Sequence, residues 1–522
     1  MNKFKKVLAI LLTFALLFTI VGCGEGDGAK GNQANKNNSK KIVASVIKEV
    51  NGRQVLYHNG EPYLFNAAHF RYDYLVTYLG QTAADKVMAD GMRLIKKNGY
   101  NTVIIYIMWN EIYNAKTNEY DLTWFTKQFK EAEKNDLKVL INWFGSNVCG
   151  FGGYRSWQTD REKYPALKDP AGRPVLNQSN GNEIPDFSAD IYAKEEGEAI
   201  SKVCEWLAEN DKDHRTVAFQ ICDEPNNTEG GNGHWMSQFK TYADYMDKLG
   251  KVVKDSNYSM VTYTVLMSSG YTETLDGYTF DQRIKYLIDL PNVDFVGYSI
   301  YNTTPSPKFK SIEQKGNLPV FIGLNPSSYC TAAQALYTLA NGYGGYCHYQ
   351  FICHNGYDGG YYSVYPEYEP DTVFGIRDGT QKLVGSEFDG HLEVDHKEIV
   401  AMNSSIAKMD DLIATNKEKF MAVFNNKSKN DFDGKKTIDN EKIYMIYKNL
   451  DKPYGPAGFM LKADDGNFYG FATLDATFKF TSDITVTEGY YEGGKWVSEG
   501  AVEVKDNSFV AQGGKAYQIV IK

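Results

Sequence analysis

Eight short apolar segments, each followed by an amphipathic stretch, restrict the fold of this chain more than any other feature. The segments are rich in Val, Ile, Tyr and Phe and cover residues 63–68, 102–108, 138–143, 216–222, 260–265, 294–299, 319–323 and 345–351. Near-continuous apolar runs of this length are typical of parallel strands that are buried on both faces. Helical periodicity between them, for example over residues 84–97 and 189–209, indicates repeated βα units. Eight such units predict an α/β fold with a closed (β/α)8 TIM barrel.

Two long segments interrupt the βα alternation. Residues 145–187 separate the third predicted strand from its helix, and residues 354–391 follow the eighth strand. The second segment carries Tyr357, Tyr361, Tyr362, Tyr365 and Tyr368. The loops that follow strand C-termini form the active-site face of such barrels. We therefore expect many of the 38 tyrosines at this face, where their rings can stack on a hydroxylated ligand such as a sugar.

The sequence pattern changes after the predicted barrel. Residues 393–419 have the spacing of a helix that leaves the barrel. From residue 420, segments with alternating polar and apolar residues are joined by tight turns such as Asp465-Gly466. This pattern predicts a β-sandwich over residues 420–522, which either braces the barrel or binds sugar, and no row of exposed aromatic residues favours the second role. The predicted barrel domain with its linking helix then covers residues 42–419.

The first residues have the features of an export signal. Lys3, Lys5 and Lys6 precede an apolar run over residues 7–21, and Gly22 is followed by Cys23. Small residues directly before a cysteine resemble a bacterial lipobox, so we predict a lipoprotein signal peptide over residues 1–22 and lipidation of Cys23. Residues 23–41, rich in Gly, Asn and Lys, are expected to be a flexible tether. The protein would then be lipid-anchored at the extracellular face of a bacterial cell membrane; an ordinary signal peptide is the alternative.

Charge and motif content exclude several classes of function. The net charge is −9 and the pI is about 5.6, which argues against a nucleic-acid-binding protein. Neither a phosphate-binding P-loop nor a dinucleotide-binding glycine motif is present, so no cofactor is expected. The pairs Cys347-His348 and Cys353-His354 match no standard zinc spacing, and no metal site is predicted. The spacing of the cysteines assigns no disulfide pairs, and those within apolar runs are expected to be buried free thiols.

Glu224 is the best catalytic candidate. The fourth predicted strand is followed by Asp223, Glu224 and Pro225. A carboxylate at the C-terminal end of a barrel strand faces the barrel mouth, where desolvation can raise its pKa and allow it to act as a general acid. The spacing alone is equally compatible with the polar start of a loop.

Several segments occur in a characteristic order along the first four units: residues 67–71 at the first strand, 101–109 and 119–122 in the second unit, 164–174 and 187–192 in the third, and 219–225 at the fourth strand. Together they resemble clan A glycoside hydrolases and, within that clan, the β-galactosidase-like families 35 and 42. The last of these segments, Phe-Gln-Ile-Cys-Asp-Glu-Pro, resembles the Asn-Glu motif that carries the acid/base. The resemblance covers the chain from about residue 63 to residue 224 and implies a glycosidase.

The resemblance implies a retaining mechanism with two carboxylates about 5–5.5 Å apart. In it, Glu224 is the acid/base and a carboxylate on the seventh strand is the nucleophile. Two positions depart from the family pattern. Asp223 replaces an Asn, and a second charge beside Glu224 would raise a pKa. Leu324 and Asn325 occupy the place of the nucleophile, and neither side chain can attack an anomeric carbon.

Three hypotheses follow from this substitution. An active glycosidase could recruit another carboxylate, with Glu273, Glu367, Glu369 and Asp371 as candidates. A degenerate barrel could instead bind carbohydrate without cleaving it. Alternatively, Glu224 could act with a water-activating base about 6.5–9.5 Å away, which gives inversion. We predict a β-galactosidase-like hydrolase of β-linked oligo- or polysaccharides, with a carbohydrate-binding protein as the alternative.

Residues at the predicted strand ends are candidates for sugar binding. Trp and Tyr rings stack on sugar faces, and Arg donates to hydroxyls or to a uronate. The candidates are Arg71, Trp109, Trp143, Asp223, Tyr298, Tyr301, Asn325 and Tyr349. For each aromatic residue, packing in the core is the alternative.

Overall fold

The computed structural model describes most of the chain from residue 41 onward. The described residues are 41–146, 155–176, 181–225, 239–267, 274–275, 277–300, 312–324, 331–352, 392–426, 432–447 and 456–522. Within these ranges, none of the helices has the length and apolar character needed to cross a lipid bilayer. The predicted signal peptide, Cys23 and almost all of the predicted tether lie outside the described residues.

Eight parallel strands form a closed barrel. In chain order they are β1 (Phe65–Phe70), β2 (Thr102–Met108), β3 (Lys138–Phe144), β4 (Thr216–Asp223), β5 (Val261–Met267), β6 (Phe295–Ile300), β7 (Phe321–Leu324) and β8 (Gly345–Ile352). Each strand pairs with the next, and β8 pairs with β1 to complete the ring. Every predicted apolar segment overlaps one of these strands, so the predicted TIM barrel is confirmed.

Helices follow the barrel strands along the chain and pack on the outside of the barrel. They are Tyr72–Leu79, Gln81–Lys97, Trp109–Ile112, Thr123–Lys134, Asp190–Asn210, Phe239–Asp255, Phe280–Ile288, Thr331–Ala340, Leu392–Ile406 and Asp410–Thr415. Outward-facing strand residues such as Ile141 and Phe219 pack with these helices in what we call the outer core. Inward-facing neighbours such as Leu140 and Ala218 form a separate interior core. Successive strand residues therefore alternate between the two cores.

An N-terminal antiparallel sheet closes the end of the barrel opposite the strand C-termini. Its strands are Ser45–Val50, Arg53–His58 and Glu61–Pro62. Leu56 of this sheet belongs to the interior core together with Phe65. The Ser45 hydroxyl accepts a hydrogen bond from the amide of Val261 at 2.9 Å and donates to the carbonyl of Val217 at 2.5 Å. Because these residues lie at the starts of β5 and β4, the sheet covers the N-terminal end of the barrel.

Two antiparallel sheets form a β-sandwich at the C-terminus. The first contains, in spatial order, Phe432–Asp433, Met421–Asn426, Gly458–Lys462, Phe468–Ala472, Tyr517–Ile521, Ile484–Glu492 and Lys495–Val502. The second contains Lys435–Ile438, Glu441–Ile446, Ala476–Phe480 and Ser508–Ala511. Side chains of both sheets share one apolar core, with Met460 from the first and Phe478 from the second. The predicted β-sandwich is therefore confirmed.

The first sheet of the sandwich also packs on the barrel. Its residues Phe459 and Phe471 belong to the outer core together with Met402 of the linking helix Leu392–Ile406. The hydroxyl of Ser405 on the same helix donates to the carbonyl of Lys515 at 2.9 Å. This contact is the one expected of a domain that braces the barrel. Residues 41–522 form one compact unit, so a domain boundary at residue 419 stays a prediction.

A buried carboxylate lies in this contact. Glu398 of the linking helix is 5% exposed and accepts a hydrogen bond from the Thr473 hydroxyl at 2.6 Å. Burial raises the pKa of Glu398 from 4.5 to about 7, and the hydrogen bond from Thr473 offsets part of this effect. The folded protein therefore holds this proton more tightly than the unfolded chain does. As a result, its stability falls as the pH rises from about 4.5 to about 7.

We predict that Glu398→Gln stabilises the protein at pH 8 and has little effect near pH 5. The amide still accepts the hydrogen bond from Thr473 but carries no charge that must be buried. The expected gain in unfolding free energy at pH 8 is on the order of 3 kcal/mol. Urea unfolding at both pH values measures it, with Glu209→Gln on an exposed helical position as the control. Destabilisation by Glu398→Gln at pH 8 would contradict this account.

Candidate active site

A bulge in β4 turns Asp223 toward the interior of the barrel. The register between β4 and β5 shifts between Gln220 and Cys222. Ile221 and Cys222 both belong to the outer core, so the alternation of side chains is interrupted at this point. The amide Nε2 of Gln220 donates to Oδ1 of Asp223 at 2.5 Å. The two polar side chains therefore lie on the same, inward side of β4.

Glu224 follows β4 at the barrel mouth. Its backbone has a φ of 42°, a left-handed conformation that costs a non-glycine residue about 1–3 kcal/mol. The residue is 6% exposed, and Asp223 is 8% exposed. Strained conformations of this kind persist where the surrounding structure holds them and are concentrated at functional sites. Two adjacent carboxylates are thus withdrawn from bulk solvent at the C-terminal end of β4.

Polar side chains on neighbouring strands form a layer inside the barrel. The strand register places Tyr106, Asn142, Gln220 and Tyr263 side by side on β2, β3, β4 and β5. Asn142 Oδ1, Gln220 Oε1 and Tyr263 Oη are buried without a hydrogen-bond partner among the described residues. Burial also raises the pKa of Tyr263 well above its usual value, so its hydroxyl keeps a proton to donate. The layer therefore has hydrogen-bonding capacity in the barrel interior.

His69 links three strands beneath the mouth. Its Nδ1 lies 2.6 Å from the hydroxyl of Tyr106, and its Nε2 contacts the backbone carbonyl of Ile322. The half-buried ring of Tyr349 lies edge-on to His69, with ring centroids 5.2 Å apart. Burial lowers the pKa of His69 to about 3, although the bond to Ile322 opposes this shift. His69 is therefore neutral at physiological pH.

Arg71 lies at the mouth after β1, where its charge is already paired. Its Nε and Nη2 donate to the two carboxylate oxygens of Asp73 at 2.9 and 2.6 Å. The guanidinium lies 4.5 Å from the ring centroid of Tyr106 and 5.3 Å from that of Phe144. Because Asp73 occupies this edge of the guanidinium, Arg71 is a poor partner for a second carboxylate such as that of a uronate.

Glu111 is a further carboxylate at the mouth that is absent from the sequence-based candidates. It lies in the short helix Trp109–Ile112 directly after β2, and its side chain is exposed. Partial desolvation and the charge of Asp73 raise the pKa of Glu111 to about 7, and Arg71 offsets part of this rise. The signal that could have identified Glu111 is its position, since it follows a strand C-terminus within three residues.

The predicted sugar-binding residues divide between the mouth and the core. Arg71, Asp223 and Tyr349 lie at the mouth or on the inward face. Trp143 and Tyr298 instead belong to the outer core and have no exposed surface, and the indole of Trp143 donates to Glu196 at 2.9 Å. The structure therefore does not support sugar contact by these two rings, because their positions on β3 and β6 face the helices.

Trp109 is covered by the segment that follows β3. It is 1% exposed and lies edge-on to Trp157, with ring centroids 5.2 Å apart. This packing leaves its ring no face on which a sugar could stack. Tyr301 and Asn325 lie outside the described residues, as do the alternative carboxylates Glu273, Glu367, Glu369 and Asp371.

The described residues include buried thiols but no metal cluster. No group of three or more His, Cys, Asp or Glu side chains among them is arranged to hold a metal ion. Cys222 and Cys347, which lie in predicted apolar runs, are buried free thiols as predicted, and Cys204 on the helix Asp190–Asn210 is one as well. Burial raises the pKa of Cys204 to about 12, which leaves it protonated and unreactive at neutral pH.

A family model of glycoside hydrolases matches the barrel. The model for Cellulase (glycosyl hydrolase family 5) matches residues 59–301, just under half of the chain. The matched segment contains β1 to β6 together with Asp223 and Glu224. No curated protein matches the sequence.

Three solved structures of glycoside hydrolases align with the chain at low sequence identity. A beta-galactosidase from the psychrophilic Marinomonas ef1 aligns with a TM-score of 0.47 and 9% identity over 68% of this chain and 62% of its own. A family 39 glycoside hydrolase from the gut symbiont Bacteroides cellulosilyticus WH2 aligns with a TM-score of 0.43 and 11% identity over 90% and 84% of the two chains. A beta-1,4-D-mannanase from Cryptopygus antarcticus aligns with a TM-score of 0.41 and 10% identity over 60% and 90%. The present chain thus spans less than two thirds of the length of the Marinomonas enzyme.

The family match agrees with the closed parallel barrel and with the buried carboxylate that follows β4. It also agrees with the resemblance carried by the sequence motifs around the first four strands. Over residues 59–301 the chain is thus similar to glycosyl hydrolase family 5, a family of clan A.

Proposed function

We propose that the protein hydrolyses β-linked oligo- or polysaccharides and that Glu224 is the acid that protonates the leaving oxygen. The observation that carries this proposal is the position of Glu224, a buried carboxylate directly after β4 at the barrel mouth. Burial and a neighbouring negative charge both favour the protonated form of a carboxyl group. Asp223 supplies such a neighbour. A protonated carboxyl group at the mouth is what general acid catalysis requires.

Glycoside hydrolysis also requires a second carboxylate. Strand β7 ends at Leu324, and the next residue, Asn325, has no carboxylate. Among the described residues at the mouth, Glu111 has the properties of a base: it is exposed, and its pKa is about 7. A general base works best when its pKa lies near the operating pH. We infer that Glu111 activates a water molecule, which gives hydrolysis with inversion.

Glu224→Gln should lower kcat/KM about 10²- to 10⁴-fold for 4-nitrophenyl β-galactoside. The loss should be much smaller for 2,4-dinitrophenyl β-galactoside, because its leaving group departs without protonation. Initial rates on the two substrates measure both effects. Glu209→Gln, on an exposed position of the helix Asp190–Asn210, is the matched control and should leave both rates unchanged.

Two results would count against this assignment. Unchanged cleavage of the 4-nitrophenyl substrate by the Glu224→Gln variant would remove Glu224 from the mechanism. Absence of turnover by the wild-type protein, together with calorimetric binding of an oligosaccharide, would favour a second function, that of a carbohydrate-binding barrel. The observation that favours this second function is Asn325 at the position of the nucleophile.

Glu111→Gln should remove most of the activity and change the pH profile. The base acts in its deprotonated form, so wild-type kcat/KM should rise as the pH increases through about 7, and this ionisation should be missing in the variant. NMR spectra recorded immediately after cleavage should show that the released sugar has the inverted anomeric configuration. Glu119→Gln, an exposed position on the following hairpin, is the control. Retention of configuration would contradict the role of Glu111 as base.

We propose further that a lipid on Cys23 anchors the protein at the extracellular face of a bacterial membrane. The basic residues, the apolar run and the small residues before Cys23 support this proposal. In a bacterial host, Cys23→Ser should abolish incorporation of labelled palmitate and move the protein from the membrane fraction to the soluble fraction. Labelling that survives the substitution would exclude Cys23 as the acylated residue.

A further inference from the structure

We propose that Gln220 is a positioning residue for Asp223 and Glu224. This inference rests on the proposed function, in which Glu224 is the acid. Gln220 has no exposed surface, so it acts through its neighbour and not by contact with substrate. Its amide donates to Asp223 at 2.5 Å, and Asp223 is joined to Glu224 by a peptide bond.

The bulge and the hydrogen bond together set the direction of Asp223. On a regular strand, residues three positions apart face opposite sides, and Asp223 would then point into the outer core. The register shift between Gln220 and Cys222 places Ile221 and Cys222 both outward. Asp223 is thereby brought to the side of Gln220, where the buried amide can reach its carboxylate. The bulge directs the side chain of Asp223 inward, and the hydrogen bond from the Gln220 amide keeps it in that position.

The surroundings of Gln220 supply a second argument. Its acceptor atom Oε1 is buried without a hydrogen-bond partner among the described residues. Buried polar groups of this kind are unfavourable for folding. The residues beside Gln220 in this layer, Asn142 and Tyr263, also carry buried polar atoms without a partner among the described residues. The hydrogen bond to Asp223 is the contact that offsets the burial of the Gln220 amide.

The strained backbone of Glu224 links this hydrogen bond to catalysis. A left-handed residue with a side chain persists only where the structure around it holds it in place. The bond from Gln220 holds the residue directly before Glu224. Without it, the segment can relax and move the acid away from the leaving oxygen. A displacement of about 1 Å is enough to lower the rate about 10²-fold.

Variants that exchange the amide of Gln220 and the carboxylate of Asp223 test the proposal. Gln220→Glu places two carboxylates in contact and should lower kcat/KM for 4-nitrophenyl β-galactoside about 10²-fold, with a smaller loss for the 2,4-dinitrophenyl substrate. Adding Asp223→Asn restores the hydrogen bond with its direction reversed, because the amide at position 223 then donates to the carboxylate at position 220. The kcat/KM of the double variant should be at least about tenfold higher than that of Gln220→Glu alone. Its melting temperature should also be higher.

A pair of uncharged variants controls for the added charge. Gln220→Met removes the amide without introducing a carboxylate and should again impair the 4-nitrophenyl substrate more than the dinitrophenyl substrate. Gln128→Met is the matched control, because Gln128 is also buried but lies on the helix Thr123–Lys134 outside the barrel interior. It should leave the ratio of the two rates unchanged.

The outcomes separate this inference from the proposed function. If the Gln220 variants match the wild type while Glu224→Gln is impaired, the positioning role fails and the proposed function stands. Equal losses on both substrates, or no recovery in the double variant, indicate a structural role only and also overturn the inference. If the wild type cleaves neither substrate, both proposals fail.

Discussion

In a closed parallel barrel, each strand residue faces either the interior or the surrounding helices, and this alternation decides what a side chain can do. Leu140 and Ala218 fill the interior, whereas Ile141 and Phe219 pack against helices. A polar group near the end of a strand reaches the mouth only from the inward face. The bulge in β4 changes this order at one point, and it is there that Asp223 becomes inward-facing. The arrangement of the site therefore depends on an irregularity of one residue.

The sequence predicted the barrel because strands buried on both faces are recognisable as continuous apolar runs. The same property conceals which face each residue occupies, since both faces are apolar. Trp143 and Tyr298 were therefore indistinguishable from inward-facing residues, and both lie in the outer core. The bulge was concealed for the same reason, because Ile221 and Cys222 are apolar wherever they point.

The place of Glu224 directly after a strand was predictable from the sequence. The raised pKa of Glu111 was not predictable, because it depends on burial and on a charge that follows a different strand. Asp73 follows β1 and pairs with Arg71 two residues before it, whereas Glu111 follows β2. Glu398 is a similar case, since its unusual pKa depends on burial against the sandwich, where its hydrogen-bond partner Thr473 is 75 residues further along the chain.

The ion pair between Arg71 and Asp73 has a consequence for the electric field at the mouth. Because the charge of Arg71 is balanced by Asp73, the guanidinium adds little positive potential to the mouth. Long-range attraction of anionic polymers, which depends on a local excess of positive charge, is therefore not expected from this residue.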